Sequence, residues 1–425
     1  MPAQLITAVS PREARWRLAL QIAGVLVLIA CAWRALSHPL DGDFKLHWEF
    51  GRRFLAGEFL YRGGHHLPYP PFWAMAHAPI ALLPLPIAKA LLFPLGVAAV
   101  LFLSRLLRLL AESAGLLAPS RAFWAATLAL LLAGRFVIRD MAELGVNTEL
   151  VALTWLAIFL WRRGRDLPAG ISLGLAIALK CTPAIFAGYF LWKRQWRMFA
   201  FSALAALTFT LAPILWQGPM LYRQHMSFWL GNAWQGFGNP DPSRGVLGPE
   251  PVQNMALRPS LARYLMQLPA DHPGRSSSSL YFNVLNLSPV AAGWVIKSVL
   301  LALLVWFLWW TRKAIGTREA PRPLWECAAL SILMLLFSPI TWGQHCVALI
   351  PACYLIAATW LGRQQFPRWM LVLLGAYIVV VPILSRDIVG RNAALLLASY
   401  HLETLAIVGL LVVVFGAERV RTMES

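Results

Sequence analysis

Residues 168–197 read PAGISLGLAIALKCTPAIFAGYFLWKRQWR. As one helix, this run would carry Lys180 into the middle of a bilayer and would break at Pro183. An ammonium in hydrocarbon is expensive, and an interior proline removes a helix hydrogen bond. As two short helices it turns at KCTP, residues 180–183, and comes back to a basic end at Lys193, Arg194 and Arg197. Short, broken helices of that kind are tolerated where they line a polar cavity. The two-helix reading also keeps the alternation of the rest of the chain intact.

That chain is mostly apolar. Of 425 residues, 59% are hydrophobic and 13% charged, against about 25% charged in a soluble domain. Repeated apolar runs near the ~20 residues that cross a bilayer make it a polytopic membrane protein, all-α in class. The net charge of +18 accompanies no nucleic-acid-binding motif, so its basic residues read as loop anchors that meet anionic headgroups. Cys31, Cys181, Cys327, Cys346 and Cys353 lie in or beside apolar runs without CxxC spacing, which predicts small buried hydrophobes. The first apolar run follows Arg12, Arg15 and Arg17 and reads as a retained signal anchor.

Working outward from the break, spans begin near Trp16, Pro79, Phe123 and Leu150. The two short helices follow, then spans from Met198, Pro289 and Leu324 and three more towards the C-terminus. Basic loops such as Arg162–Arg165 and the end at residues 418–425 fall inside. The expectation is a single membrane domain, 1–425, of about twelve helices with both termini cytoplasmic, in a bacterial plasma membrane. Two long extracytoplasmic segments stand out. Residues 37–78 contain an amphipathic stretch, and 217–288 are rich in Gly, Pro, Asn and Ser with little helical periodicity.

This topology gathers Asp41, Asp43, His65, His66, Tyr69, Asp140, Glu143, Asn147, Lys180, the QNMALR run (253–258), Gln344 and His345 on the outer face. Asp43 to Gly57 spaces Phe44, Trp48, Phe50 and Phe54 against Lys45, Glu49, Arg52 and Arg53, as in a helix lying in the interface plane. Asp43 stands before that helix, either capping it or acting as a general base, and Asp41 has the same two readings. Lys180 either snorkels, pairs with Asp140 or Glu143, or holds a phosphate. His345 is a satisfied edge histidine or a donor to a phosphate or sugar oxygen. Adjacent His65 and His66 lack further ligands at metal spacing, so no metal site is expected.

Five stretches, in order, resemble one family. They are DGDFKLHWEFGRRFLAGEFLY (41–61), the Tyr-Pro-Pro turn YPPFW (69–73), LGVNTEL (144–150) with its Lys-x-x-Pro turn, VQNMALRPSLARYL (252–265), and SPITWGQH (338–345). Together they resemble glycosyltransferase family 87, mannosyltransferase-like membrane proteins of the GT-C superfamily. The chain departs from the family at Met255, where serine is usual, and at Val146, where glutamine is.

The resemblance implies an inverting transferase that takes a sugar, mannose by default, from a polyprenyl-phosphate donor outside the membrane. No cofactor, metal or nucleic acid is implied; the partners are the lipid donor, a lipid-linked or envelope glycan acceptor, and membrane lipid. Asp43 matches the catalytic aspartate. Lys180, His345 and Arg258 would bind the donor phosphate, and Asp41, Tyr69, Asn147, Asn254 and Gln344 would line the substrate cavity. A flippase for a lipid-linked sugar and an oligosaccharide–lipid ligase are the competing readings.

Overall fold

The computed structural model describes residues 10–37, 42–62, 68–362 and 365–422; Asp41, His65 and His66 fall outside them. The described chain is helical apart from one small hairpin, β1 (Arg244–Gly245) paired with β2 (Gly248–Pro249). Its helices in order are α1 (Pro11–Ser37), α2 (Gly42–Leu55), α3 (Pro71–Ala81), α4 (Leu85–Ser113), α5 (Ala122–Glu143) and α6 (Asn147–Arg162). Next come α7 (Asp166–Leu179), α8 (Ala184–Trp192), α9 (Trp196–Leu211), α10 (Ile214–Gly238), α11 (Leu257–Leu265) and α12 (Pro273–Ser276). The last six are α13 (Pro289–Trp310), α14 (Arg322–Phe337), α15 (Ile350–Leu361), α16 (Arg368–Ile378), α17 (Arg386–Ala398) and α18 (Leu402–Thr422).

The run at 168–197 is two helices. Lys180 leaves α7 with an extended backbone (φ −151°, ψ 120°), and Pro183 stands immediately before α8, where its missing N–H costs no helix bond. α7 packs tightly on α9 because Gly170 and Gly174 leave no side chain between them. A methyl group at Gly174 would lie 2.6 Å from Ala205 Cβ. Small residues one turn apart let membrane helices approach this closely.

Of the described helices, five are long and apolar enough to cross a bilayer: Pro11–Ser37, Leu85–Ser113, Pro119–Glu143, Pro289–Trp310 and Gly343–Leu361. Two bent pairs, hinged by 84° between α9 and α10 and by 99° between Ile383 and Arg386, raise the number to seven. The remaining apolar helices are shorter than a full crossing. Lipid-facing character is plain on α1, α4 and α13, where Leu26, Leu101 and Trp294 are exposed. By contrast α14 is buried on nearly every side and forms the centre of the bundle.

Three local features differ from the sequence expectation. The stretch around Pro79 is a separate helix, α3, and the long span starts only at Leu85. The segment 217–288 opens in helix α10, with Gly218 in the left-handed region (φ 74°) absorbing a kink. Cys181, unlike the other four cysteines, is exposed.

A buried ionic cluster centres on Glu326, near the N-terminal end of α14 (Arg322–Phe337) and roughly 16 Å along the helix from its C-terminus. Glu326 accepts from Lys193 (2.9 Å), Arg322 (2.9 Å) and the Tyr189 hydroxyl (2.7 Å). Lys193 also donates to the carbonyls of Thr311 and Lys313, each at 2.7 Å. Arg318 pairs with Asp166 at the start of α7. Polar groups are therefore not confined to one end of the bundle.

Candidate active site

The site is assembled at the turn between α5 and α6. Leu144 and Val146 both take left-handed backbone (φ 51° and 59°) around Gly145, so the chain doubles back sharply. Asp140 of α5 then caps α6: one oxygen accepts from the Asn147 N–H (3.3 Å) and side-chain amide (2.8 Å). The other accepts from the Thr148 N–H (2.9 Å) and hydroxyl (2.7 Å). A methyl at Gly145 would sit 2.5 Å from the Asp140 carboxylate, which is why the turn needs glycine. With its amide so held, Asn147 presents its oxygen to Lys180, whose ammonium donates to it at 3.0 Å.

Lys180 therefore reaches Asp140 only through Asn147. Its ammonium also stands 5.8 Å over the Tyr69 ring, which stacks on Trp73 at 4.4 Å. Burial lowers the Lys180 pKa to about 8, while the charges of Asp140 and Asp43 act to raise it.

Asp43 lies within the first turn of α2, which begins at Gly42, so it stands inside the helix it was expected to precede. The positive end of the helix favours its carboxylate. Gln344 donates to it at 2.7 Å across 301 residues of sequence. The Gln344 amide oxygen, Oε1, is buried without a partner among the described residues. α2 is amphipathic, and Phe44, Phe50 and Phe54 are buried. Gly51 lets α2 meet α3, since a methyl there would fall 2.7 Å from the His77 carbonyl oxygen.

The run 338–345 closes the other side. The Ser338 hydroxyl donates to the Ile340 carbonyl (2.7 Å), and the Trp342 N–H donates to His345 Nδ1 (3.2 Å). Nδ1 also stands 3.2 Å from the Ile340 carbonyl, so the imidazole is held by backbone on one edge.

A cavity of about 520 Å³ opens between these parts, and Asp43, His47, Tyr69, Lys180, Trp342 and His345 all touch it. Trp229 of α10 and Val246 of the hairpin contribute its far wall. Of the residues singled out in the sequence, Asp43, Tyr69, Lys180 and His345 line the cavity, Asn147 orients Lys180, and Gln344 orients Asp43.

Asn254 and Arg258 sit behind the wall. Asn254 donates to Glu250 (2.7 Å) and the Pro339 carbonyl (3.0 Å) and accepts from Thr341 (2.9 Å) and Ala256 (3.1 Å). It fastens the long segment to the 338–341 turn. Arg258 donates to the carbonyls of Gly236, Asn239 and Asp241. Met255 contributes through its backbone, N–H to Thr341 and carbonyl to Thr404, and its side chain is buried in the main hydrophobic core. His47 was passed over in the sequence. Its spacing of four residues from Asp43 put both on one helix face and was the signal available.

A carboxylate, an ammonium and an imidazole around one cavity suit transfer of a group from a phosphate to a hydroxyl. No solved structure matches the chain. It is similar to the polyprenol-phosphate-mannose-dependent alpha-(1-2)-phosphatidylinositol mannoside mannosyltransferase of Mycolicibacterium smegmatis, 29% identical over 400 residues, 85% of this chain and 79% of that protein. The Mycobacterium tuberculosis protein of the same name is 26% identical over 386 residues, 87% of this chain and 82% of its own. The model of glycosyltransferase family 87 matches residues 67–339. With well over half of its length inside that match, the protein is a membrane glycosyltransferase and belongs to glycosyltransferase family 87.

Proposed function

We propose that the protein moves mannose from a polyprenyl-phosphate carrier to a lipid-linked or envelope glycan at the extracytoplasmic face, with inversion at the anomeric carbon. The observation that carries this reading is the meeting of Asp43 with Lys180 and His345 around one cavity. Asp43 takes the proton of the acceptor hydroxyl as its oxygen bonds to the anomeric carbon. The bond from that carbon to the phosphate oxygen breaks, and polyprenyl phosphate leaves with the electron pair. Lys180 and His345 face the charge that grows on the phosphate. The mycobacterial relatives' names support the mannosyl donor.

Orientation follows from charge. The ends of α6 and α8 remote from Lys180 carry Arg162, Arg163, Lys193 and Arg194, the pattern of cytoplasmic loops. That end is closed by the Glu326 ion pairs, which disfavours a flippase open to both faces. α2 then lies in the outer interface, and the shorter helices pair up to complete the crossings.

The test is sugar transfer in reconstituted membranes, with a panel of polyprenyl-phosphate sugars and native lipid, for wild type and Asp43→Asn. Wild type should transfer mannose, and the variant should lose on the order of 10²–10⁴-fold while still binding donor. Undiminished transfer by Asp43→Asn would remove Asp43 as the base. Labelled lipid crossing the bilayer without any transfer would replace the enzyme by a flippase.

A further inference from the structure

His47 lies one helical turn beyond Asp43, on the same face of α2, and both touch the cavity. The imidazole is almost fully buried, and three rings enclose it: Trp73 at 5.0 Å, Tyr69 at 5.1 Å and His77 at 5.4 Å. Its Nδ1 lies 3.2 Å from the indole nitrogen of Trp73. An indole N–H can only donate. Nδ1 must therefore offer a lone pair, and the imidazole proton is forced onto Nε2. That nitrogen has no hydrogen-bond partner among the described residues, yet it is not sealed off as a buried unpaired atom. A polar N–H is thus directed at the open space next to the base.

We infer that His47 is a specificity-determining residue that donates its Nε2 proton to a hydroxyl oxygen of the sugar bound beside Asp43, with Trp73 acting as the positioning residue that fixes the tautomer. This rests on the transferase reading above and deepens it. One helical turn between the two side chains is close to the breadth of a single sugar ring. Asp43 can therefore attend to the reacting carbon while His47 reads a hydroxyl across the ring. An anionic group at that place would be served better by Lys180.

The ring is kept uncharged as well as oriented. Protonating Nδ1 would point it at the Trp73 N–H. Burial, and then the nearness of the His77 imidazole and the Lys180 ammonium, hold its pKa well below the usual 6.5. The other groups facing it are Tyr69 from the turn before α3 and Asp43 on its own helix. A neutral donor offers a hydrogen bond that does not vary with pH across the working range.

The experiment compares mannosyl-phosphoryl-polyprenol with its 2-, 3-, 4- and 6-deoxy analogues as donors, for wild type, His47→Phe, His47→Gln and Trp73→Phe. Wild type should lose about tenfold in kcat/KM for one deoxy donor. His47→Phe should lose about as much with the full donor and be indifferent to removal of that same hydroxyl. His47→Gln, which restores an N–H, should recover most of the discrimination. Trp73→Phe should fall between, because the freed ring spends part of its time with Nε2 unprotonated. A purely structural role for either residue predicts equal losses for all donors. Discrimination among the deoxy donors that survives in both His47 variants would overturn the inference while leaving the transferase reading intact. Absence of transfer from every donor by wild type would overturn both.

Discussion

Asp43 and Lys180 are each held by a neutral amide, and each amide has a measurable consequence. Removing the Gln344 donor frees the Asp43 carboxylate to rotate away from the acceptor. Gln344→Ala is expected to lower kcat about tenfold with little change in donor KM, because a hydrogen bond to a charged group is worth roughly 1.5–3 kcal/mol. Steady-state kinetics with varied donor separates the two parameters. Lys180 should make donor binding depend on pH. Its ammonium persists below about pH 8 and is lost above it, so attraction for the anionic phosphate weakens as pH rises. Donor KM should climb about tenfold between pH 7 and 9, and Lys180→Arg, which stays charged, should flatten the rise.

At the scale of elements, the α5–α6 turn and the α7–α9 contact place the site. Gly145→Ala drives a methyl towards the Asp140 carboxylate. It should break the cap of α6, release Asn147 and raise donor KM even though Gly145 touches no substrate; an undisturbed KM would show that the cap does not position Lys180. Gly174→Leu separates α7 from α9 and should lower the melting temperature in detergent together with activity, because Lys180 rides on the end of α7.

These elements were unequally legible. The break at 180–183 was readable because a lysine and a proline in one apolar run leave a membrane helix no other option. α3 was not, since the apolar run continues through Pro79 and Pro84 and hides the joint. α10 was missed because its glycines and proline resemble loop composition, while packing against α3 and the hairpin holds it helical. The contacts that assign work to Asn254 and Arg258 join segments far apart in sequence, and no spacing rule reaches across them.

The whole molecule has a polar anchor at each end of its central helix, with unlike tasks. Near the cavity, Asp43, Lys180 and His345 remain available to a ligand. At the other end, Glu326 is saturated by Lys193, Arg322 and Tyr189. Taking away one member of a buried pair leaves its partner charged and unpaired, at about 3–5 kcal/mol. Glu326→Ala should therefore reduce the yield of monodisperse protein and its melting temperature, whereas the surviving fraction keeps its donor KM. A changed KM with normal stability would instead join that end of the bundle to the reaction.

The bond between Gln344 and Asp43 ties together two segments that both lie outside the matched family span of 67–339. His345 lies outside it too. The span matched by the family model thus omits the proposed base, its holder and one of the proposed phosphate contacts. A gene copy that decayed only at positions 43, 344 and 345 would still pass as kin and fold around the same hollow, yet it is expected to transfer no sugar. On the proposed mechanism, substitution at those three positions is expected to abolish transfer in a protein that the family model still matches, which assay of the triple variant checks.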